Sequence, residues 1–324
     1  MLYTDELREI IDREVEKMNF AGRRPAELYT PVNYILSNGG KRIRPVIALM
    51  ACRVFSDDIT HCLGPAMAIE LFHNFTLLHD DIMDNADMRR GKLTVHKKWD
   101  EKTAILSGDA MVVLAFDLIS SSRSDILKPI LNIFNKTALQ VCEGQQLDMN
   151  FEQLAEVDEP AYMEMIKLKT SVLIAAAMQI GALAGGATER QSELMYRSGL
   201  NMGLAFQLQD DLLDLYGNVE EFGKTSGGDI IMNKKTILLI RALEKADSQT
   251  AAQIKDLMEN EKDPGKKVQE VKKVFTLLDI EKDIREKVSG YFKEALEVLD
   301  ASGGNPERKK ELAALVEKVA GRTS

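Results

Sequence analysis

The sequence is poor in residues that mark several large classes of protein. Its 324 residues include 3 cysteines, 4 histidines and 1 tryptophan, and aromatic residues make up 6%. The cysteines, Cys52, Cys62 and Cys142, are odd in number and follow no metal-site spacing, which favours a reducing compartment without a disulfide framework. Acidic residues outnumber basic ones, 51 against 42. This charge argues against a general nucleic-acid or anionic-membrane binder.

Long apolar runs and flexible linkers are also scarce. The most apolar segment, SVLIAAAMQIGALAGGA at 171–187, contains Gln179 and is short for a membrane span, so we expect a buried helix. The first residues, MLYTDELREIIDREVEKM, are acidic and amphipathic, unlike a signal or transit peptide. No Pro/Gly/Ser-rich stretch divides the chain. We therefore expect one large cytoplasmic domain over residues 1–324, without integral membrane contact.

The chain does contain strong helical periodicity. Apolar residues recur three and four positions apart in most long segments, and no series of alternating strands is evident, which predicts an all-α fold of about a dozen helices. Thr30-Pro31 and Asn305-Pro306 predict helix starts with proline in the first helical position. The glycines of SNGG at 37–40 predict a helix end.

Two aspartate clusters of the form DDxxD lie in apolar helical segments. They consist of Asp80, Asp81 and Asp84 in LLHDDIMD, and of Asp210, Asp211 and Asp214 in QLQDDLLD. Like charges at this helical spacing cost roughly 0.2–0.5 kcal/mol, so cations should lie nearby. Carboxylate oxygens are the ligands that Mg²⁺ prefers, and this ion completes its shell with water and substrate phosphate. Two clusters favour magnesium–diphosphate binding over exposed acidic helix turns.

Basic residues occur near both clusters and beside glycines. They are Lys41, Arg42 and Arg44 in GGKRIRP, Arg89 and Arg90 in ADMRRG, and Lys224, Lys234 and Lys235 in GKTSGGDIIMNKKT. Any one of them could be a solvated surface charge. Arginine suits bidentate phosphate contacts and lysine acts as a point charge, so together they predict diphosphate binding.

With these motifs the sequence resembles the trans-isoprenyl diphosphate synthases, the head-to-tail prenyltransferases of the farnesyl and geranylgeranyl diphosphate synthase type. The matching elements are GGKRIRP, LLHDDIMDNADMRRGKLTVH, the Lys169-Thr170 pair, QLQDDLLD and GKTSGGDIIMNKKT, in the family's order over residues 39–236. The resemblance implies an all-α helical bundle of the isoprenoid synthase type. It also implies a central cavity with the two aspartate motifs facing each other across the mouth, and usually a homodimer.

The resemblance implies a role for each matching residue. Three Mg²⁺ ions would be bound by Asp80, Asp84 and Asp210, with support from Asp81, Asp211 and Asp214. The allylic diphosphate would be bound by Arg89, Lys169, Lys224 and Lys234. The diphosphate of isopentenyl diphosphate would be bound by Lys41, Arg44, His73 and Arg90. The developing carbocation would be faced by Gln207 and by the Thr170 hydroxyl or nearby carbonyls.

Helix geometry independently supports one of these roles. On an ideal helix His73 lies about 20° from Asp80 and about two turns away, so both can face the same space. The implied reaction joins isopentenyl diphosphate to dimethylallyl, geranyl or farnesyl diphosphate and releases diphosphate. Two alternatives are a class I terpene cyclase, which also uses DDxxD, and a non-catalytic subunit of a heteromeric synthase. A cyclase has no need for a second diphosphate site, and non-catalytic subunits tend to lose one aspartate motif.

Product length is expected to depend on residues before the first aspartate motif. In the family a bulky residue five positions before the first aspartate forms the floor of the elongation cavity, and here this residue is Phe75. An aromatic followed by a small residue, Thr76, resembles the geranylgeranyl pattern, so a C20 product is favoured and C15 is next. Simple helix geometry favours Thr76 as the lining residue, about 40° from Asp80, but we follow the family pattern and expect Phe75 to form the floor, with Phe72 as a second layer beneath it.

Overall fold

The computed structural model describes residues 2–217 and 227–320. The helices of these residues are α1 Leu2–Lys17, α2 Ala26–Ser37, α3 Ile43–Arg53, α4 Thr60–Met83, α5 Val95–Lys98, α6 Glu101–Ser120, α7 Ser124–Gln153, α8 Glu159–Ile166, α9 Val172–Ala184, α10 Glu189–Tyr216, α11 Gly228–Ile231, α12 Ile237–Lys245, α13 Ser248–Asn260, α14 Pro264–Leu277, α15 Ile280–Ala301 and α16 Pro306–Ala320. A π-helical turn, Lys167–Ser171, joins α8 to α9. One short hairpin pairs β1 Met88–Arg89 with β2 Lys92–Leu93. The predicted all-α class is confirmed.

The predicted helix boundaries are partly right. Asn305 caps α16, because its side-chain oxygen accepts from the Glu307 backbone N–H at 2.9 Å, and α2 ends within the SNGG stretch as expected. The predicted start at Thr30-Pro31 is wrong, since Pro31 lies inside α2. The helix begins a full turn earlier, with the Leu28 N–H bonded to the Pro25 carbonyl. A proline inside a helix forfeits one backbone hydrogen bond.

The contacts of the described residues group into two compact units. The first unit comprises the described residues up to Ala138, with Ala176–Tyr196 and Ser302–Leu312. The second comprises Leu139–Ala175, the described residues of Arg197–Ala301, and those from Ala313 onward. Each unit has a buried apolar core, with Phe72 fully enclosed in the first and Phe275 in the second.

Glycines allow close helix packing in the first unit. A Cβ atom at Gly181 would lie 2.1 Å from the Ala48 carbonyl oxygen, and one at Gly185 would lie 2.4 Å from that of Cys52. Gly181 and Gly185 are one helical turn apart, and so are Ala48 and Cys52. The backbones of α9 and the residues that follow it therefore pack closely against α3 over at least one turn.

Two helical stretches are long and apolar enough to cross a membrane by length and composition. In Glu159–Ala184 the apolar window is 72% buried within the protein, and in Glu101–Ser120 it is 33% buried. The first includes the apolar segment predicted to be a buried helix, and this prediction is confirmed because residues such as Ala177 and Ile180 have no exposed surface. The second leaves an exposed apolar face on α6.

Candidate active site

The first aspartate motif lies at the carboxyl end of α4, beside the cation that its charge predicts. The Arg89 Nε donates a 2.6 Å hydrogen bond to Asp81, and its Nη2 lies 3.6 Å from the Asp80 carboxylate. Asp81 is buried, and this burial raises its pKa against the opposing influence of Arg89. Asp80 keeps 20% of its side chain exposed, and Asp84 follows the last helical residue. Asp81 therefore holds Arg89 in place, while Asp80 remains accessible to a ligand.

A tight hairpin positions the two arginines that follow the motif. Because Arg89 pairs with Lys92 across the strands, the loop consists of Arg90 and Gly91, both with positive φ, 53° and 75°. Two consecutive left-handed residues are typical of a type I′ turn, which matches the twist of the flanking strands. The turn places Arg90 at the hairpin tip, where Nη1 donates to the Gly39 carbonyl.

One cavity in the first unit brings together all four residues predicted to bind isopentenyl diphosphate. Its volume is about 490 Å³. Lys41, Arg44, His73 and Arg90 line it, together with Arg8, Asn38, Gly40, Arg42, Ile43 and Glu70. The four predicted residues come from three separate segments of the chain, so their convergence is a result of the fold.

Arg42 belongs to the same basic motif but has a structural role. It adopts the left-handed conformation, φ 48°, as the residue before α3, and only 3% of its side chain is exposed. Its guanidinium donates to Glu70 at 2.5 Å and to the Leu36 carbonyl at 2.6 Å. A buried guanidinium needs such partners because an unpaired buried charge is very costly. Arg42 neutralises Glu70, which otherwise would oppose an anion in the cavity.

His73 is held as a neutral acceptor by its arginine neighbours. Its Nε2 lies 3.1 Å from Arg44 Nη1. Arginine can only donate, so Nε2 accepts this bond and the ring proton is assigned to Nδ1. Burial, and then the charges of Arg44 and Arg90, lower the His73 pKa well below its ordinary value. The neutral imidazole thus leaves an N–H available for hydrogen bonding.

This lowered pKa predicts a pH dependence of stability. In the unfolded chain histidine takes up a proton below about pH 6.5, whereas folded His73 resists protonation. The contribution of neutral His73 to the free energy of unfolding is therefore complete above pH 6.5. It decreases as the pH falls from 6.5 toward the pKa of His73 in the folded protein, by up to about 1.4 kcal/mol per pH unit. Urea unfolding between pH 7.5 and 5 should give a steeper loss for the natural protein than for His73→Gln. Parallel curves would contradict this assignment.

In the second unit the π-helical turn carries Lys169 and Thr170. Such turns often occur at functional sites, where they redirect side chains. Lys169 Nζ lies 2.6 Å from Asp148 Oδ2, and the Thr170 hydroxyl donates to Gln207 Oε1 at 3.0 Å. Both predicted residues are half-buried. Sequence reasoning missed Asp148, although it follows a GQQ stretch on α7 in the same long polar segment.

A hydrogen-bonded chain links this turn to the second aspartate motif. Gln207 Nε2 donates to Asp211 Oδ1 at 3.1 Å, and the Tyr162 hydroxyl donates to the other oxygen of the same carboxylate. Burial raises the pKa of Asp211 to about 8, although both hydrogen bonds lower it. Asp210, in contrast, is exposed. The neighbouring aspartates thus differ in burial and in hydrogen bonding.

Two glycines on different helices allow their backbones to pack closely against the π-helical turn. A Cβ atom at Gly144 on α7 would lie 2.3 Å from the Lys169 backbone nitrogen, and one at Gly203 on α10 would lie 2.5 Å from the Ser171 Cα. Backbone atoms cannot yield as a flexible side chain can. The position of Lys169 and Thr170 therefore depends on the absence of side chains at both sites.

We expect Gly203→Ala to impair both stability and activity. The added methyl must displace the turn, and overpacking of this kind typically costs about 1–3 kcal/mol. Gly290 is a matched control on α15 of the same unit, because a Cβ there meets nothing within 4 Å; Gly290→Ala should be neutral or stabilising by about 0.5–1 kcal/mol. Thermal unfolding and turnover measure both effects. Equal behaviour of the two variants would refute this role of Gly203.

The remaining predicted residues of the second unit are placed as follows. Asp214 accepts from the Asp229 backbone N–H at 3.0 Å and so caps the short helix α11. Lys234 is half-buried just after α11. Lys235 donates to the Phe151 carbonyl at 2.7 Å near the end of α7, a structural role. Lys224 lies outside the described residues.

The aspartates fit Mg²⁺ by their chemistry and accessibility. Within residues 2–217 and 227–320, no three His, Cys, Asp or Glu side chains are grouped to hold a metal ion by themselves. Mg²⁺ usually takes one or two carboxylates and fills its shell with water and substrate phosphate, so a larger protein cage is not required. The accessible oxygens of Asp80 and the exposed Asp210 suit this mode of binding.

The residues predicted to set product length belong to an aromatic cluster in the first unit. The ring centroid of Phe75 lies 4.6 Å from that of His79 and 5.4 Å from that of Phe72. Phe72 is buried, Phe75 is half-buried, and the Thr76 hydroxyl donates to the His73 carbonyl at 2.8 Å. Gly108 makes room for the cluster, because a Cβ there would lie 2.3 Å from His79 Nε2. Which ring meets the growing chain remains a prediction.

Comparison with known proteins agrees with these motifs. The polyprenyl synthetase family model matches residues 25–278. The geranylgeranyl diphosphate synthase of Methanosarcina mazei is 43% identical over 224 residues, which are 68% of this chain and 69% of that protein.

Solved structures share the whole architecture. A geranylgeranyl pyrophosphate synthase crystal structure matches with a TM-score of 0.94 and 43% identity, covering 99% of both chains. That of Corynebacterium glutamicum geranylgeranyl pyrophosphate synthase, complexed with isoprenyl diphosphate and magnesium, matches with a TM-score of 0.83 and 26% identity, covering 99% of this chain and 98% of that one. This chain therefore belongs to the polyprenyl synthetase family and is a prenyltransferase of the prenyl diphosphate synthase type.

Proposed function

We propose that this prenyltransferase condenses isopentenyl diphosphate head-to-tail with dimethylallyl, geranyl or farnesyl diphosphate, releases diphosphate, and yields mainly a C20 product. The proposal of two diphosphate substrates rests on the 490 Å³ cavity lined by Lys41, Arg44, His73 and Arg90. It offers a diphosphate three permanent cations and a neutral imidazole N–H. A terpene cyclase, which uses a single diphosphate substrate, has no need for such a second site.

The allylic diphosphate is bound by a different set of cations, Arg89, Lys169, Lys224 and Lys234. Arg89 is presented beside Asp80 by its bond to Asp81, and Lys169 is presented by the π-helical turn. Positive groups placed where negative charge develops stabilise the departing diphosphate in the transition state. Gln207 and Thr170 supply oxygen atoms beside the resulting allylic cation.

We propose that Asp80 and Asp84 of the first motif and Asp210 of the second bind Mg²⁺, with three ions in the working enzyme. Members of this family generally depend on this metal. When bound, Mg²⁺ neutralises phosphate oxygens and promotes cleavage of the allylic C–O bond. The accessible oxygens of Asp80 and Asp210 support these ligand roles, and the buried, hydrogen-bonded Asp81 and Asp211 support outer positions.

The carbon–carbon bond forms between the allylic cation and the double bond of isopentenyl diphosphate. Loss of a proton then gives a product five carbons longer. The described residues near the motifs include no obvious protein base, because His73 is bonded to Arg44. The released diphosphate is the proposed proton acceptor.

We further propose that the chain forms one polyprenyl synthetase domain and acts in the cytoplasm as a homodimer. Support for the dimer comes from α6, where Leu106 and Val113 are 59% and 69% exposed. Asp109 is exposed on the same helix, and a carboxylate there disfavours lipid as the covering partner. Sedimentation of the purified protein without detergent tests this: a monomer would refute the dimer.

Incubation of the pure protein with isopentenyl diphosphate, Mg²⁺ and each allylic primer separately tests the proposed reaction. We expect chain products that end mainly at C20, with C15 as the next candidate, and stoichiometric diphosphate. A cyclic hydrocarbon from a single allylic diphosphate would favour a terpene cyclase. Turnover only after addition of a second polypeptide would favour a non-catalytic subunit.

A further inference from the structure

The cavity proposed for isopentenyl diphosphate contains an arginine that belongs to none of the sequence motifs. Arg8 lies on α1 and lines this cavity together with Lys41, Arg44 and Arg90. The match to the family model begins at residue 25, so α1 lies before the matched region. The sequence alone gave α1 only the pattern of an acidic amphipathic helix.

The Gly39-Gly40 turn fixes two guanidinium groups at the edge of the cavity. Arg90 donates to the Gly39 carbonyl, and Arg8 Nη2 donates to the Gly40 carbonyl at 3.4 Å. A Cβ atom at Gly40 would lie 2.6 Å from Arg90 Nη1, and the φ of 137° at Gly40 favours glycine there. Adjacent carbonyls of one turn thus orient one arginine from α1 and one from the hairpin.

The charges around Arg8 leave it able to bind an anion. Its Nε lies 3.7 Å from Asp12 one turn further along α1, and about half of its side chain is exposed. The carboxylate that lines the cavity, Glu70, is occupied by Arg42 at 2.5 Å and by Asn74 at 2.9 Å. The carbonyl contact of Arg8 is long and neutral, and hydrogen bonds to a charged acceptor are shorter and about twice as strong.

We propose that Arg8 is a substrate-binding residue for the diphosphate of the non-allylic substrate, an inference that rests on the proposed function of the cavity. Its Nη groups exchange the Gly40 carbonyl for a phosphate oxygen, while Asp12 keeps the guanidinium oriented. The helix α1 thereby contributes directly to one substrate site. The allylic diphosphate gains nothing from this contact.

Steady-state kinetics of Arg8→Gln against Arg13→Gln test this role. Arg13 is a matched control, because it is exposed on the same helix and donates to the Glu9 carbonyl of its own helix. We expect Arg8→Gln to raise the KM for isopentenyl diphosphate about tenfold, as for loss of one charge-assisted hydrogen bond. The allylic KM and kcat should stay within twofold, Arg8→Lys should be intermediate, and Arg13→Gln should match the natural protein.

Three results would overturn the proposal: a KM for isopentenyl diphosphate within twofold in Arg8→Gln, an equal rise in both KM values, or an equal effect of Arg13→Gln. Calorimetric titration with inorganic diphosphate separates this failure from failure of the proposed reaction. If the natural protein does not turn over the substrates, weaker diphosphate binding by Arg8→Gln than by Arg13→Gln still supports the anion site. Equal binding by both variants overturns it.

Discussion

Asp80→Asn and Asp210→Asn should each lower kcat by about 10³-fold or more with saturating Mg²⁺, because each removes a negative oxygen proposed to bind the metal. The substitution preserves side-chain shape and relieves repulsion between like charges, so stability should change little. Steady-state turnover at saturating substrate and thermal unfolding of both variants measure the two effects.

Asp87→Asn supplies the matched control. Asp87 lies just beyond the first motif, is 78% exposed and contacts Lys97 at 3.1 Å, so its loss should leave turnover within twofold. Asp81→Asn is informative in a different way, because Asp81 is buried and bonded to Arg89. It should lower stability as well as activity. Near-normal turnover of Asp80→Asn or Asp210→Asn would remove that residue from the proposed metal ligands.

The resemblance to the family assigned the residues proposed to bind isopentenyl diphosphate, and local sequence rules support only part of that assignment. Helical periodicity placed His73 on the face of Asp80, and the glycine pair predicted a helix end just before Lys41. The all-α class followed from the same periodicity. These features depend on neighbours within a few residues, which sequence patterns describe.

Other features depend on partners that are distant in sequence. Arg42 and Arg44 stand two residues apart in one motif, yet Arg42 points to buried Glu70 and Arg44 to His73. The left-handed backbone of Arg42 separates their directions, and no composition rule predicts that conformation for arginine. Asp148 was missed for a similar reason, since its contact with Lys169 is made between α7 and the π-helical turn.

Pro31 shows that a local rule can also predict a helix start that the structure does not have. Thr30-Pro31 has the pattern of a helix start, but α2 begins at Ala26 and Pro31 lies inside it. Pro31 itself is buried, so packing compensates for the lost backbone bond. Tertiary contacts commonly override such local preferences.

Product length should change in opposite directions in two variants of adjacent residues. Phe75→Ala removes a half-buried ring and should shift the products from C20 to longer chains, if this ring is the floor of the elongation cavity. Thr76→Phe adds a ring nearer to Asp80 and should shorten them toward C15. Product sizing after incubation with farnesyl and with geranyl diphosphate measures both shifts.

The aromatic cluster makes a structural effect of Phe75→Ala equally testable. Phe75 contacts Phe72 and His79, and loss of a fully buried phenylalanine typically costs about 3–5 kcal/mol. Phe116 is a matched control, because it is also half-buried and packs against Phe134 at 5.2 Å in the same cluster. Phe116→Ala should lower stability without changing product length.

The direction of each shift follows from where a ring blocks the channel. On an ideal helix Thr76 lies about 6 Å deeper than Asp80 along the helix axis. It also lies nearer than Phe75 to the side of the helix that carries Asp80. A ring added at Thr76 therefore stops the chain earlier, whereas removal of the Phe75 ring leaves Phe72 as the next barrier. If Phe75→Ala is destabilised as much as Phe116→Ala and its products are unchanged, Phe75 is a core residue. The floor must then be assigned to Thr76, provided that Thr76→Phe alone shortens the product.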